Sequence, residues 1–177
     1  MKLHSGCNQR IPEYHSWVCL VGGMKAKSYV ELGCGSAEYM LNAGIEKIVT
    51  VDLLPNGLGN SICRHLQASS QDPETLAKVL EILGEQPDVV FIDADHEAES
   101  VRKDFALWHP VAKLAVGFHD ILMPSVLLAW NEISLRYPSV QIIGKDVASA
   151  EKWQYGINHP TGHVDCGGIG VVFKESE

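Results

Sequence analysis

The stretch 28-SYVELGCGSA-37 decides the fold. It runs from an apolar strand pattern into two glycines, Gly33 and Gly35, that flank Cys34. Glycines so placed let a strand turn tightly into a following helix and let the backbone approach a ligand with no Cβ between them. A plain tight turn would use the same glycines, so the next strand pattern matters. That pattern, VTVD at 49–52, ends in Asp52, close to the spacing of about 20 residues at which a carboxylate reaches the hydroxyls of a ribose.

Further strand-like runs lie at 62–66, 88–92, 114–118, 140–143 and 169–173, beside the first two at 28–31 and 47–51, and several of them are nearly all apolar. Short, nearly all-apolar runs are expected of parallel strands covered on both faces. Helical signals fall between them. Asp72 is placed as an N-cap with Pro73 in the first turn, Leu76, Val79, Leu80 and Leu83 share a face, and Gly84 ends the helix. A second helix is expected from about His96 to Trp108, capped by Asp95, and a third over 125–136. Alternating strands and helices predict a Rossmann-like, doubly wound α/β sheet of seven strands. No confident element falls in 144–167, and a connection of that length reads as a substrate loop.

The chain has 177 residues, which at about 150 per domain predicts one domain over 1–177, with 1–27 as a short N-terminal helical segment. Lys and Arg number 14 against 22 Asp and Glu, a net charge of −8, which argues against nucleic acid as a partner. Five cysteines without paired spacing read as reduced thiols, no signal peptide is recognisable, and no apolar run is long enough to span a membrane. A cytoplasmic protein is the expectation, and a homo-oligomer stays open.

Which adenosine ligand the glycine turn suits is an electrostatic question. A dinucleotide fingerprint needs a third glycine at position 38, where this chain has Glu38, and a carboxylate there competes with a pyrophosphate for the helix N-terminus. S-adenosylmethionine (SAM) carries a sulfonium and an ammonium instead of phosphate, and Glu31 suits that cationic end.

Here E-x-G-x-G followed by an acid ending the second strand resembles the class I SAM-dependent methyltransferases, over about 28–121 and the closing strand. The resemblance implies a strand order of 3-2-1-4-5-7-6 with the last pair antiparallel. It implies that Glu31, Gly33, Cys34 and Gly35 line the methionine part, Asp52 the ribose and Leu53 the adenine. Ser69 or Ser70 would bond the adenine edge, unless they are plain surface loop.

Two further clusters should meet at the C-terminal edge of such a sheet: Asp93, Asp95 and His96 in FIDADH, and His119 and Asp120 in GFHD. Simple capping by Asp95 and Asp120 and a shared metal site are both open on spacing alone. FIDADH with V-x-x-D at 101–104, Trp108-x-Pro110 and a strand ending in His-Asp is similar to the sugar and macrolide O-methyltransferases and cephalosporin-hydroxylase-like proteins, relatives of the catechol-type enzymes. That resemblance implies a divalent cation such as Mg²⁺ or Mn²⁺ on Asp93, His119 and Asp120, and His96 as general base, so that Asp93 and His96 carry the catalysis. A nitrogen at His119 departs from the catechol-type pattern and tilts preference from Mg²⁺ towards Mn²⁺, Fe²⁺ or Zn²⁺, unless His119 stays outside the ligand set. His159, His163 and Cys166 have metal-like intervals but read as a solvated or substrate-facing loop, where Trp153 could stack on a substrate. His4, His15, His65 and His109 read as surface or satisfied core residues, and Trp17, Trp108 and Trp130 as core.

Two readings follow: transfer of a methyl group to a small-molecule hydroxyl, or a non-catalytic SAM- or nucleoside-binding module. A nicotinamide-dependent enzyme is a distant third.

Overall fold

The computed structural model describes residues 11–33, 37–55, 63–144 and 167–175. Within them, strands β1 (Ser28–Leu32), β2 (Lys47–Asp52), β3 (Cys63–Gln67), β4 (Val89–Ile92), β5 (Ala115–Phe118), β6 (Ser139–Ile142) and β7 (Ile169–Phe173) form one sheet. The order is β3-β2-β1-β4-β5-β7-β6, with β1 to β5 parallel and β7 antiparallel to both its neighbours. This is the expected topology. Among the described residues four α-helices accompany the sheet: α1 (Ile11–Gly23), α2 (Pro73–Leu83), α3 (Ala98–Trp108) and α4 (Pro124–Ser134).

The inner strands β1, β4, β5 and β7 are buried because both faces are covered, whereas the edge strands β3 (CRHLQ) and β6 (SVQI) are half exposed. Val30, Leu32, Val49, Val90, Ile92 and Phe118 pack with residues of α2, α3 and α4. Their neighbours Tyr29, Ile48, Val89 and Phe91 point the other way, into a layer with Tyr14, Trp17 and Val21 of α1. Trp17, Trp108 and Trp130 are fully buried, as expected.

Local signals place α2 well. Asp72 accepts from the Glu74 N–H at 2.9 Å, and Gly84 closes the helix at φ +73°. The start of α3 differs from the expectation. Asp95 accepts from the Glu97 N–H at 3.3 Å and from the Ser100 hydroxyl at 2.7 Å, but the N-cap is Glu97, so the helix begins two residues beyond His96. His96 therefore sits in a non-helical corner. After β1 the chain takes a 3₁₀ helix, Ala37–Ala43, in place of an α-helix. A crossover must travel back along a strand roughly 16 Å long. Seven residues cover about 14 Å as 3₁₀ but only about 10 Å as α.

At the other end of the sheet, Asp88 accepts from the N–H groups of Lys27 and Ser28 at 2.6 and 3.1 Å and meets Lys113 Nζ at 2.6 Å. It locks the starts of β1, β4 and β5 together. Among the described residues no helix is long and apolar enough to cross a membrane.

Asp104 of α3 is buried with neither carboxylate oxygen hydrogen-bonded in the structure. Burial above all pushes its pKa up to about 6, opposed by the nearby Ser70 side chain and aided by the Asp95 charge. A folded-state pKa above the unfolded one favours folding while the carboxyl stays protonated, and that advantage is lost as pH rises through about 6. Asp104→Asn removes the titration. Urea unfolding should therefore favour the variant over the parent more at pH 7.5 than at pH 5, by about 1–2 kcal/mol. A difference independent of pH would show that Asp104 ionises in the fold at no cost.

Candidate active site

Gly33 is where the site begins. At φ +86° it adopts a conformation that side chains disfavour, and a Cβ there would lie 2.0 Å from the Asp93 carbonyl oxygen. The Gly33 N–H donates to Val51 O and the Asp93 N–H to Leu32 O, both at 2.7 Å. The ends of β1, β2 and β4 are thus drawn into van der Waals contact, and a cavity of about 350 Å³ opens beside them. Gly33, Asp52, Leu53, Ser69, Ser70 and Asp93 all line it, together with Ala94, Asp95 and Ser100. Its volume suits a small organic ligand.

Several contacts shape this cavity. Asp52 Oδ1 accepts from the Leu54 N–H at 2.8 Å, which orients its carboxylate, and Leu53 beside it is 69% exposed. The Leu53 and Leu54 carbonyls accept from Gln67 Nε2 and His65 Nε2, each at 3.0 Å. His65 Nδ1 in turn pairs with the Thr50 hydroxyl at 3.0 Å. His65 is therefore a support of the cavity wall, a role its sequence position did not announce. The available signal was its i, i+2 relation to Gln67, which puts both on one face of β3. Ser69 Oγ accepts from the Gln71 N–H at 3.3 Å, and the Ser70 carbonyl accepts from Trp108 Nε1 at 2.7 Å. Glu31 is fully buried below the glycine turn and accepts from the Tyr29 hydroxyl at 3.3 Å. Cys34 and Gly35 lie outside the described residues, as do Trp153, His159, His163 and Cys166.

Asp93, His96, His119 and Asp120 converge. One ligand atom from each lies within 4.8 Å of the others. His119 Nδ1 is 3.0 Å from Asp93 Oδ1 and 3.3 Å from Asp120 Oδ2. His96 Nε2 is 3.2 Å from Asp120 Oδ2 and 3.5 Å from Asp93 Oδ1, yet neither contact is aligned as a hydrogen bond. The main chain aims these groups. Asp120 has φ +54°, a conformation tolerated by Asp and concentrated at functional sites. The Ser125 hydroxyl donates to the His96 carbonyl at 2.6 Å.

The cluster's electrostatics are mutual. Contact with Asp120, then with Asp93, raises His96 to about 9. This settles a direction left open by the sequence: without a competing cation the ring holds its proton at neutral pH. Burial pulls His119 down, but the Asp93 charge and the bond to Asp120 carry it well above its ordinary value. Burial pushes Asp93 and Asp120 up, and the two rings overcome that and hold both carboxyls low. Two protonated rings and two carboxylates carry no net charge. One divalent cation with both rings neutral would balance the same two carboxylates.

Comparisons with known proteins agree with this architecture. MycE methyltransferase from the mycinamycin biosynthetic pathway, in complex with Mg, SAH and mycinamycin VI, has a TM-score of 0.56 and 17% identity over 93% of this chain and 49% of its own. An O-methyltransferase from Bacillus cereus in complex with SAH has a TM-score of 0.55 and 14% identity over 94% of this chain and 83% of its own. The chain spans only about a third to a half of the MycE structures it matches. At these identities the likeness is one of fold. No curated protein matches the sequence. The methyltransferase-domain family, however, matches residues 30–121, which hold the glycine turn, Asp52 and the whole His–Asp cluster, and it is to this family that the chain belongs.

Proposed function

We propose that the protein transfers a methyl group from SAM to a hydroxyl of a small molecule, assisted by a divalent cation. One observation carries the reading: Asp93 lines the cavity and also stands in the His–Asp cluster, so a proton acceptor and a cation-ligand set lie at the cavity's edge. A module that only binds a nucleoside has no use for that juxtaposition. The MycE complex with Mg, SAH and mycinamycin VI supports both the cation and a small-molecule acceptor.

In this reading Glu31, buried beneath the turn and outside the cavity lining, would act on the cationic methionine end through its charge, Gly33 would pass the backbone beside it, and Asp52 would take the ribose hydroxyls. Cys34 and Gly35 would continue that turn through their backbone, Leu53 would cover the adenine face, and Ser69 or Ser70 its edge. The donor set of two imidazole nitrogens and two carboxylates, with His96 Nε2 buried and unbonded, suits a divalent ion such as Mn²⁺ or Fe²⁺. Asp93, His119 and Asp120 would hold it. A cation there supplies Lewis-acid polarisation of the acceptor oxygen. A cation held by the two carboxylates would compete with His96 for them and leave that ring free to accept a proton. The His96 side chain is 35% exposed against 6% for His119, so it is the ring that an acceptor can reach. The acceptor hydroxyl would give its proton to the His96 ring as its oxygen attacks the sulfonium methyl in line. A C–O bond forms as the C–S bond breaks, and alignment supplies most of the rate.

Calorimetry with SAM tests the cofactor half. Asp52→Ala should weaken binding about 5- to 150-fold, the equivalent of 1–3 kcal/mol for ribose hydroxyls left unpaired. Equal affinity of variant and parent would remove Asp52 from the ribose.

The chemical half is tested by methyl transfer from labelled SAM to a panel of sugars and phenols, with and without chelator. His96→Ala should lower turnover by about 10²- to 10⁴-fold with SAM affinity nearly unchanged. Asp93→Asn or Asp120→Asn should abolish both activity and its metal dependence. Full activity in EDTA together with a fully active His96→Ala protein would remove the cation and His96 from the chemistry, whereas SAM binding with no transfer to any acceptor would favour the binding-module reading.

A further inference from the structure

Glu13 of α1 is a buried carboxylate, 1% exposed, in a layer of aromatic and aliphatic side chains. Its two oxygens are divided between two remote backbone donors. Oε1 accepts from the Gly144 N–H at 2.8 Å and Oε2 from the Gly168 N–H at 2.9 Å. These amides flank the neighbouring ends of β6 and β7, which pair at Ile142 and Ile169. Because β7 is antiparallel to β5, that end of β7 adjoins the end of β5 from which His119 and Asp120 emerge.

The link continues into the cluster. The Gly168 carbonyl accepts from the Ile121 N–H at 3.3 Å, and the Gly167 carbonyl from the Leu122 N–H at 3.0 Å. Gly168 lies so close that a Cβ on it would meet Ile121 Cγ1 at 2.9 Å and Leu122 Cγ at 3.1 Å. The corner at Asp120 is otherwise held by the His119 N–H on Ile92 O and the Met123 N–H on Asp120 O. A non-glycine residue at φ +54° persists only where its surroundings over-determine it. Glu13, Gly168 and Ile121 form the side of that enclosure reached from α1.

We propose that Glu13 is a positioning residue for the cation site, acting through Gly168 to fix the Asp120 corner. The proposal rests on the cation reading given above. Only an acceptor-only group with two oxygens can serve both amides. A glutamine is nearly the same shape but turns an NH₂ towards one N–H donor. Charge-assisted bonds to two backbone donors also answer why a carboxylate is buried here at all.

The test uses the whole chain. Glu13→Gln should weaken Mn²⁺ binding, followed by electron paramagnetic resonance, about 10- to 100-fold, the usual cost of losing support behind a metal ligand. Amide exchange should quicken at Ile121, Leu122 and Gly168. SAM affinity should stay at the parent's value, because the cavity is built from β1 to β4 and α3. Unchanged Mn²⁺ affinity with unchanged exchange at Ile121 and Leu122 would overturn the proposal. If the variant does not fold, exchange in the parent decides: the Gly144, Gly168, Ile121 and Leu122 amides should open as one unit, and independent opening of Gly144 and Ile121 overturns the link. Should the parent bind no Mn²⁺, the cation reading fails, and the proposal falls with it.

Discussion

The approach of Gly33 to the Asp93 carbonyl is the contact on which the rest of the site depends. At 2.0 Å from that oxygen no Cβ can be accommodated, and the obstacle is backbone, which cannot swing aside. The closeness matters because β1 and β4 are neighbours whose chains leave the sheet at the same edge. One strand end carries the turn beneath the cavity, the other the first residue of the His–Asp cluster. Any side chain at Gly33 would separate two halves that a transfer reaction needs within reach of one another.

Charge organises the second half of the site. Several buried or half-buried carboxylates show different ways of keeping an ion away from water. Asp88 is held by Lys113 and two backbone donors, Glu13 by two backbone donors, and Asp93 and Asp120 by two imidazoles. Asp104 has no such partner and is shifted towards its neutral form instead. Only the Asp93–Asp120 pair is balanced by groups that can give up their own charge. The proposed exchange of protons for a cation rests on that property.

Much of the fold was legible along the chain because its signals are local. Apolar runs marked the inner strands β4, β5 and β7, since strands covered on both faces need apolar residues at successive positions. Asp72, Pro73 and Gly84 bounded α2 through caps that act within four residues. Asp95 misled for a related reason: its side chain bonds Glu97 and Ser100, a turn that delays the helix and leaves His96 in a corner. The residues that converge on the cluster were also legible, because strands of a parallel sheet deliver their C-terminal ends to one edge.

What the sequence by itself determined is the set of groups at that edge: a glycine turn, an acid after β2, and two His–Asp pairs. Tertiary structure alone decided how those groups act. His96 holds its proton because Asp120, from another strand, lies 3.2 Å away. His65 supports the cavity wall because the chain after β2 folds back over its ring. Glu13 meets its partners across 131 and 155 residues. Such relations depend on distances in space, and the sequence around Glu13 reads as an ordinary first turn of a helix.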